Sequence, residues 1–434
     1  MVNDFKKQLY DIGASTVSIT PEPGVDIYTL EGVLRTSDVV HSKLKANAIT
    51  IEFLKDVLIV VSLDLIWVDN VFTEKIRKWL RLEYKNQKTY LLLVATHSHS
   101  TPQISDKICN SARPDSPYLH FLYNQVCLVI KNAFHNKSQC YAELSITHPD
   151  LTVNRRKKIF SLEVLKSGIF KNITVNRPNY LGECDNSLHA IWFYDSQGKE
   201  KAVFLNYACH PTLFRENAVS ADFPGIVSNH IKSQISKELV VCFLQGFSGN
   251  IKANLTKLSC SNYNGFFSYL YNCMFDRVQF NKNISRQGLN NFSVRLAQFA
   301  LERNNPKSIK PELFFSSKMI KLPLQIGTLD QHPYLEVSYV SLGEKLKIIA
   351  LSGEIFTEYS LWLRDFLLHK KFDLLTIGCC NDMVGYIPTN KAIRNGGYEV
   401  ERTFFEFSNP SPFSDRIEDV LKKEIKELIL QYED

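Results

Sequence analysis

The sequence predicts an α/β fold of mixed α+β character, with mixed β-sheets flanked by helices, and three observations carry the prediction. Short runs of Val, Ile, Leu and Phe alternate with stretches of 3.6-residue apolar period along all 434 residues. The runs are apolar throughout, as strands covered on both faces must be. A composition of 44% hydrophobic and 22% charged residues is that of an ordinary globular chain, which excludes disordered, collagen-like and coiled-coil alternatives.

In chain order, strands are expected at Val57–Leu63, Thr89–Ala95, Ala190–Tyr194, Ala202–Tyr207, Leu239–Leu244, Lys345–Leu351 and Leu374–Gly378. Phe72, Ile76, Trp79 and Leu80 share one face of a helix, and Leu119, Leu122, Val126, Val129 and Ala133 share one face of another. A further helical stretch covers Phe356–Leu368. The last helix starts from an N-cap at Ser414 and runs through Ile417, Val420, Leu421, Ile425 and Leu428. Ser259–Asn283, rich in Asn, Tyr and Phe, reads as an insertion or a long helix. No repeat, low-complexity tract or Pro/Gly/Ser linker interrupts the chain, so residues 1–434 are expected to form a single domain.

The formal charge of +6 is spread along the chain rather than gathered on one arm or helix, so no nucleic-acid partner is expected. A membrane surface is equally unsupported by it. The N-terminus has no apolar core or cleavage site of a secretory signal, and no run of 18 apolar residues occurs. Ten Cys lack CxxC pairing, and Cys379 and Cys380 are adjacent. Reduced thiols in a cytoplasmic protein are expected.

Four polar segments follow predicted strands, the position where α/β folds place their sites. In Thr96-His97-Ser98-His99, an i, i+2 pair on extended backbone points both imidazoles to one side. His210 follows the strand Ala202–Tyr207, and its neighbour Cys209 reads as a packed small residue. Glu354 follows Lys345–Leu351, and Tyr386 lies beyond Leu374–Gly378. Imidazole, carboxylate and phenol gathered at strand ends are the donor types of a metal-centred cleft.

These segments, in this order, resemble the catalytic domain of the neutral/alkaline (non-lysosomal) ceramidase family. The resemblance runs through SITP (Ser18–Pro21), ATHSHSTP (Ala95–Pro102) and VNRR (Val153–Arg156), then NYACHPT (Asn206–Thr212) and SADFPG (Ser220–Gly225). It continues through QGFSGN (Gln245–Asn250), SGEIFTE (Ser352–Glu358) and the closing GYIPT…GGYEVE stretch. It implies a neutral-ceramidase-like catalytic domain without the family's C-terminal immunoglobulin-like domain. It also implies one Zn2+ held by His97, His210, Glu354 and Tyr386, with His99, Arg155 and Tyr398 as catalytic residues.

The implied activity is a zinc-dependent amidohydrolase that cleaves an N-acyl bond with activated water. Zinc lowers the pKa of its water to ~7 and polarises the carbonyl. Arg155 and the donors His99 and Tyr398 would surround the developing oxyanion. His99 would also suit proton delivery to the leaving amine, or else only orient a ligand. A one-residue slip would exchange Arg155 for Arg156. The partner is then a small-molecule or glycan N-acyl substrate, ceramide itself or an N-acetylated amino sugar. A non-catalytic binding protein on the same scaffold is the reading from another class.

Asp222 is expected to cap a helix, and Asp64 and Asp185 to be structural. Two residues depart from the family pattern: Thr101 stands where the family has glycine, and Asn250 where it has aspartate.

Overall fold

The computed structural model describes residues 9–28, 34–105, 115–160, 172–258 and 278–433. Its largest sheet runs, in spatial order, Val240–Gln245, Glu200–Tyr207, Leu188–Asp195, Ser138–Thr147, Tyr10–Ser18, Lys45–Phe53, Asp56–Leu63 and Lys88–Ala95, with Lys307–Ile309 also paired to Ser138–Thr147. The central pairings are antiparallel. Each end is a parallel pair: Glu200–Tyr207 with Val240–Gln245, and Asp56–Leu63 with Lys88–Ala95. Parallel neighbours need a crossover, supplied by the helices Asp222–Gln234 and Asn70–Glu83 respectively.

A second sheet runs Leu313–Lys321, Tyr334–Leu342, Leu346–Leu351 and Asp373–Ile377. Its last two strands are parallel and joined through the helix Thr357–Leu368. The two sheets pack face to face. Alternate residues of the first, such as Leu58, Val60, Phe193 and Phe204, meet Val340, Leu342, Ile348 and Leu375 of the second. The intervening residues point outward. Val57, Ile59 and Val61 meet the helices Asn70–Glu83 and Ser116–His135, while Val203, Leu205 and Val241 meet Asp222–Gln234 and Arg286–Leu301. Thr357–Leu368 and Ile417–Glu433 cover the outer face of the second sheet. The result is a helix–sheet–sheet–helix sandwich, which explains why the strands read as continuous apolar runs.

All seven predicted strands are present, displaced by a residue or two at their ends. The last helix begins at Ile417. Ser414 sits in the turn before it, where its hydroxyl accepts the Arg416 N–H at 3.3 Å. Of the segment Ser259–Asn283, residues 259–277 lie outside the described residues. Beyond them the expectation of a long helix fails, because Val278–Phe280 is a strand paired with Thr256–Leu258. Asp222 is not a cap. Ala221 holds that position, and Asp222, at φ 50°, uses its carboxylate on the N–H groups of Leu213, Phe214 and Phe223. Asp185 is structural, accepting from Arg364 at 2.8 Å. Buried Asp64 accepts the Lys45 N–H at 2.9 Å, and burial pushes its pKa up to about 7. No helix among the described residues is long and apolar enough to cross a membrane.

His189 lies inside this sandwich with both ring nitrogens buried and unpaired among the described residues. Burial holds its pKa down to about 4. In the unfolded chain it takes up a proton near pH 6.5 that the folded chain resists, so its contribution to stability is lost as pH falls from about 6.5 toward 4. His189→Leu should flatten the decline of melting temperature across that window. An unchanged slope would assign the acid sensitivity to other groups.

Candidate functional site

The strand ends determine where the site lies. Ala95 donates its N–H to the Cys379 carbonyl at 3.1 Å, Gly378 to Gln245 at 2.8 Å, Gly246 to Tyr207 at 3.0 Å and Asn381 to Leu93 at 2.8 Å. The carboxyl ends of strands from both sheets therefore open at one place, and the four predicted segments leave from there. Glu354 and Tyr386 are held side by side because Glu354–Ile355 pairs in parallel with Tyr386–Ile387.

His97 and His99 come together for a reason other than strand alternation. The strand stops at Ala95, and His97 turns the chain at φ 69°, in the left-handed region that non-glycine residues rarely enter. That conformation is held by two bonds from His97 to the segment at Leu65–Ile66. Its N–H reaches the Leu65 carbonyl at 2.9 Å, and its Nδ1 the Ile66 carbonyl at 2.7 Å. Thr101, which is extended rather than left-handed, supports the same peptide, its hydroxyl accepting the Ile66 N–H at 3.0 Å. Here a β-branched residue is accommodated without strain.

Nδ1 of His210 meets the Ser248 carbonyl at 2.9 Å. Each imidazole thus spends Nδ1 on a carbonyl and turns Nε2 inward. The two Nε2 atoms are 3.3 Å apart, and each lies 3.1 Å from Glu354 Oε2. All three side chains are almost fully buried. Donors at ~2.0–2.1 Å from a tetrahedral ion lie about 3.3 Å from one another, so the triangle has the dimensions of one face of such a site. The Tyr386 hydroxyl lies 3.5 Å from His210 Nε2. His99 completes a group of three imidazoles whose ring nitrogens fall within 4.8 Å of one another, a cluster able to hold a metal ion. The donor set fits a small divalent cation.

Electrostatics agree with that fit. Burial alone would raise the Glu354 pKa, but the facing His97 and His210 hold it well below the usual carboxylate range. Burial also disfavours charge on His97, yet the contact with the Cys379 sulfur and the facing Glu354 carboxylate outweigh it and hold that imidazole well above its ordinary value. His210 is pushed down to about 4 by burial and by Arg155, and His99 well down by burial, His97 and His210. The pair therefore favours opposite charges on His97 and Glu354, and the centre as a whole is one where positive charge beside Glu354 is favourable.

Arg155 and Arg156 point to different sides of the strand Thr152–Phe160. Arg155 is 5% exposed, lies 5.5 Å from the Tyr386 ring and donates to the Gly249 carbonyl at 2.8 Å. Arg156 instead reaches the carbonyls of Ala392 and Gly396. Buried Glu399 binds both, Oε1 to Arg155 Nε at 3.0 Å and Oε2 to Arg156. Sequence reading did not single out Glu399, whose role depends on a pairing 243 residues apart.

Tyr398 is 47% exposed at the rim, its ring 6.4 Å from that of Tyr386 and its hydroxyl donating to Glu406 at 3.1 Å. Asn250 bridges the start of the helix Thr357–Leu368, accepting the Thr357 N–H at 2.9 Å and donating to Glu358 at 2.7 Å. Aspartate there would confront the Glu358 carboxylate. The Cys209 and Cys379 thiols are buried, and burial pushes both pKa values up, so neither is a ready thiolate.

Gly249 sits where a Cβ would lie 2.4 Å from the Glu354 carbonyl oxygen. Gly249→Ala should displace the Glu354 strand and cost about 1–3 kcal/mol in chemical denaturation. Gly288→Ala, in the helix Arg286–Leu301 with no atom nearer than 3.4 Å, should be neutral or stabilising. Equal effects from the two would mean the close approach at Glu354 is not a constraint.

No protein-family model and no curated protein sequence matches the chain. Solved structures do. The chain is similar to the neutral ceramidase from Pseudomonas aeruginosa, at a TM-score of 0.74 and 15% identity over 96% of this chain and 73% of that one. A ceramidase complexed with C2 is also similar, at a TM-score of 0.71 and 14% identity over 96% and 74% of the two chains. The chain has the fold of the neutral ceramidases.

Proposed function

We propose that the protein is a zinc-dependent amidohydrolase, a ceramidase-like N-deacylase that uses water to cleave an N-acyl bond. The observation that carries this reading is the triangle of His97 Nε2, His210 Nε2 and Glu354 Oε2, each imidazole locked by its Nδ1 on a backbone carbonyl. The shared fold supports it. His97, His210 and Glu354 would hold the ion, with Tyr386 on the fourth side. When bound, zinc would supply a Lewis acid and acidify its water to a pKa of ~7.

The protein's own groups divide the remaining work. Arg155 keeps its charge at any working pH and is fixed by Glu399 and Gly249, so it is preorganised to meet an oxyanion on the acyl carbon. His99, held neutral at ordinary pH, can accept a proton and pass it to the departing amine. Tyr398, half-exposed at the rim, would donate to substrate from the solvent side. The buried walls around His97 and His210 limit water to the reacting position.

His97→Ala or His210→Ala should abolish zinc retention, measured by elemental analysis of dialysed protein, and amine release with it. Either variant retaining zinc stoichiometrically would overturn the ligand assignment. Wild-type protein with no stoichiometric zinc would favour a binding protein on the same scaffold. Arg155→Ala should lower kcat by roughly 10²–10³-fold with zinc retained, and loss of zinc in that variant would show that it acts on the metal instead. A panel of fatty-acyl sphingosines and N-acetyl amino sugars, assayed for amine release, decides between ceramide and a smaller N-acetylated amine.

A further inference from the structure

One buried cation takes no part in the site as described. Lys252 is 7% exposed, on the short strand Ile251–Ala253. That strand pairs antiparallel with the start of Thr152–Phe160, Lys252 standing opposite Val153. Residues directly opposite share a face, as do residues two apart, so Lys252 lies on the face that carries Val153 and Arg155. The Arg155 N–H bonds the Asn250 carbonyl at 2.9 Å, which makes Lys252 and Arg155 diagonal neighbours about 7–8 Å apart.

What surrounds the ammonium is unusual for a buried lysine. Among the described residues no carboxylate, carbonyl or hydroxyl reaches Nζ, whose contact is the face of Phe280, 5.3 Å from the ring centroid. The charged groups that act on it are the cations Arg155, Arg215 and Lys282, while the nearby Cys209 thiol is itself kept from ionising by burial. Burial, followed by these cations, pushes its pKa down to about 7. Buried lysines are ordinarily paired, because an uncompensated ammonium in a low dielectric is costly. Arg155 already has Glu399. Lys252 lacks an anion, and it stands one diagonal from the residue that faces the candidate centre.

We propose that Lys252 receives an oxyanion, a carboxylate or phosphate group, carried by the N-acylated substrate. The inference rests on the amidohydrolase reading for the identity of the molecule bearing that group, though not for the binding itself. A neutral lipid amide would leave Lys252 uncompensated. An N-acylated amine bearing an acid would pair with it while its amide lies beside Arg155.

Two measurements test this on the full-length protein, each with wild type, Lys252→Met, which keeps the apolar stem, and Lys252→Arg, which keeps the charge. In the first, inorganic phosphate and acetate are titrated calorimetrically into protein treated with chelator, so that any zinc cannot hold the anion. Wild type and Lys252→Arg should bind one anion, and Lys252→Met should bind it roughly 10- to 100-fold more weakly. In the second, kcat/KM is compared for an N-acetyl alkylamine and its matched carboxylate- and phosphate-bearing counterparts. The preference for the anionic amide should fall by the same factor in Lys252→Met, and whichever counterpart is favoured identifies the acid.

Wild-type protein that binds neither anion, or that prefers the neutral amide, overturns the proposal whether or not Lys252→Met folds. Hydrolysis of the neutral amide without anion binding sinks the subsite and leaves the amidohydrolase standing. Anion binding that depends on Lys252, with no amide hydrolysed, does the reverse.

Discussion

Three backbone hydrogen bonds at the strand ends, from Ala95, Gly378 and Asn381 to Cys379, Gln245 and Leu93, hold the two sheets in the one relation that brings the site together. Each sheet alone would satisfy its own ladder and present its strand ends to solvent. Stitched in this way, the ends of Lys88–Ala95, Glu200–Tyr207, Leu346–Leu351 and Asp373–Ile377 converge, and the segments leaving them have nowhere to run but around a common centre. The tight turns this requires are visible in the left-handed backbone of His97, Cys379 and Asn381, residue types that pay for such conformations unless their surroundings over-determine them.

The consequence is electrostatic. A carboxylate 4% exposed between two imidazoles is tenable only if positive charge stays close. The facing imidazoles favour it, His97 being held well above its ordinary pKa beside Glu354. A divalent cation supplies more, and the Ile66 and Ser248 carbonyls have already oriented both rings for it. The same requirement governs the surrounding residues. Arg155 is compensated by Glu399, Asp185 by Arg364, and Asn250 donates to the half-buried Glu358 that an aspartate would repel. Lys252 stands out because that compensation is missing.

Much of the architecture was legible in the chain itself. Apolar runs of strand length, helical faces such as Phe72–Ile76–Leu80, and polar segments directly after strands are local signals, and each survives in the folded protein because burial on both sides of a strand requires them. The errors were also local in origin. Asp222 looks like a cap until its carboxylate is seen tying Leu213 and Phe214 to the helix start. The strand at Val278–Phe280 owes its existence to Thr256–Leu258 rather than to its own three residues. His97 and His99 do meet in one cluster, but through a left-handed turn, not through the alternation of an extended strand.

By itself, then, the sequence determined the fold class, the strand positions and the residues from which a site would be drawn, because periodicity and residue chemistry are properties of neighbours in the chain. Only the tertiary structure decided which arginine of Arg155-Arg156 faces Tyr386, that Glu399 clamps both, and that Lys252 shares a face with Arg155. Those outcomes depend on strand register and on contacts hundreds of residues apart. A one-residue change of register would turn every side chain of the strand to the opposite face, and no local pattern in a strand flanked by like charges reveals which register holds.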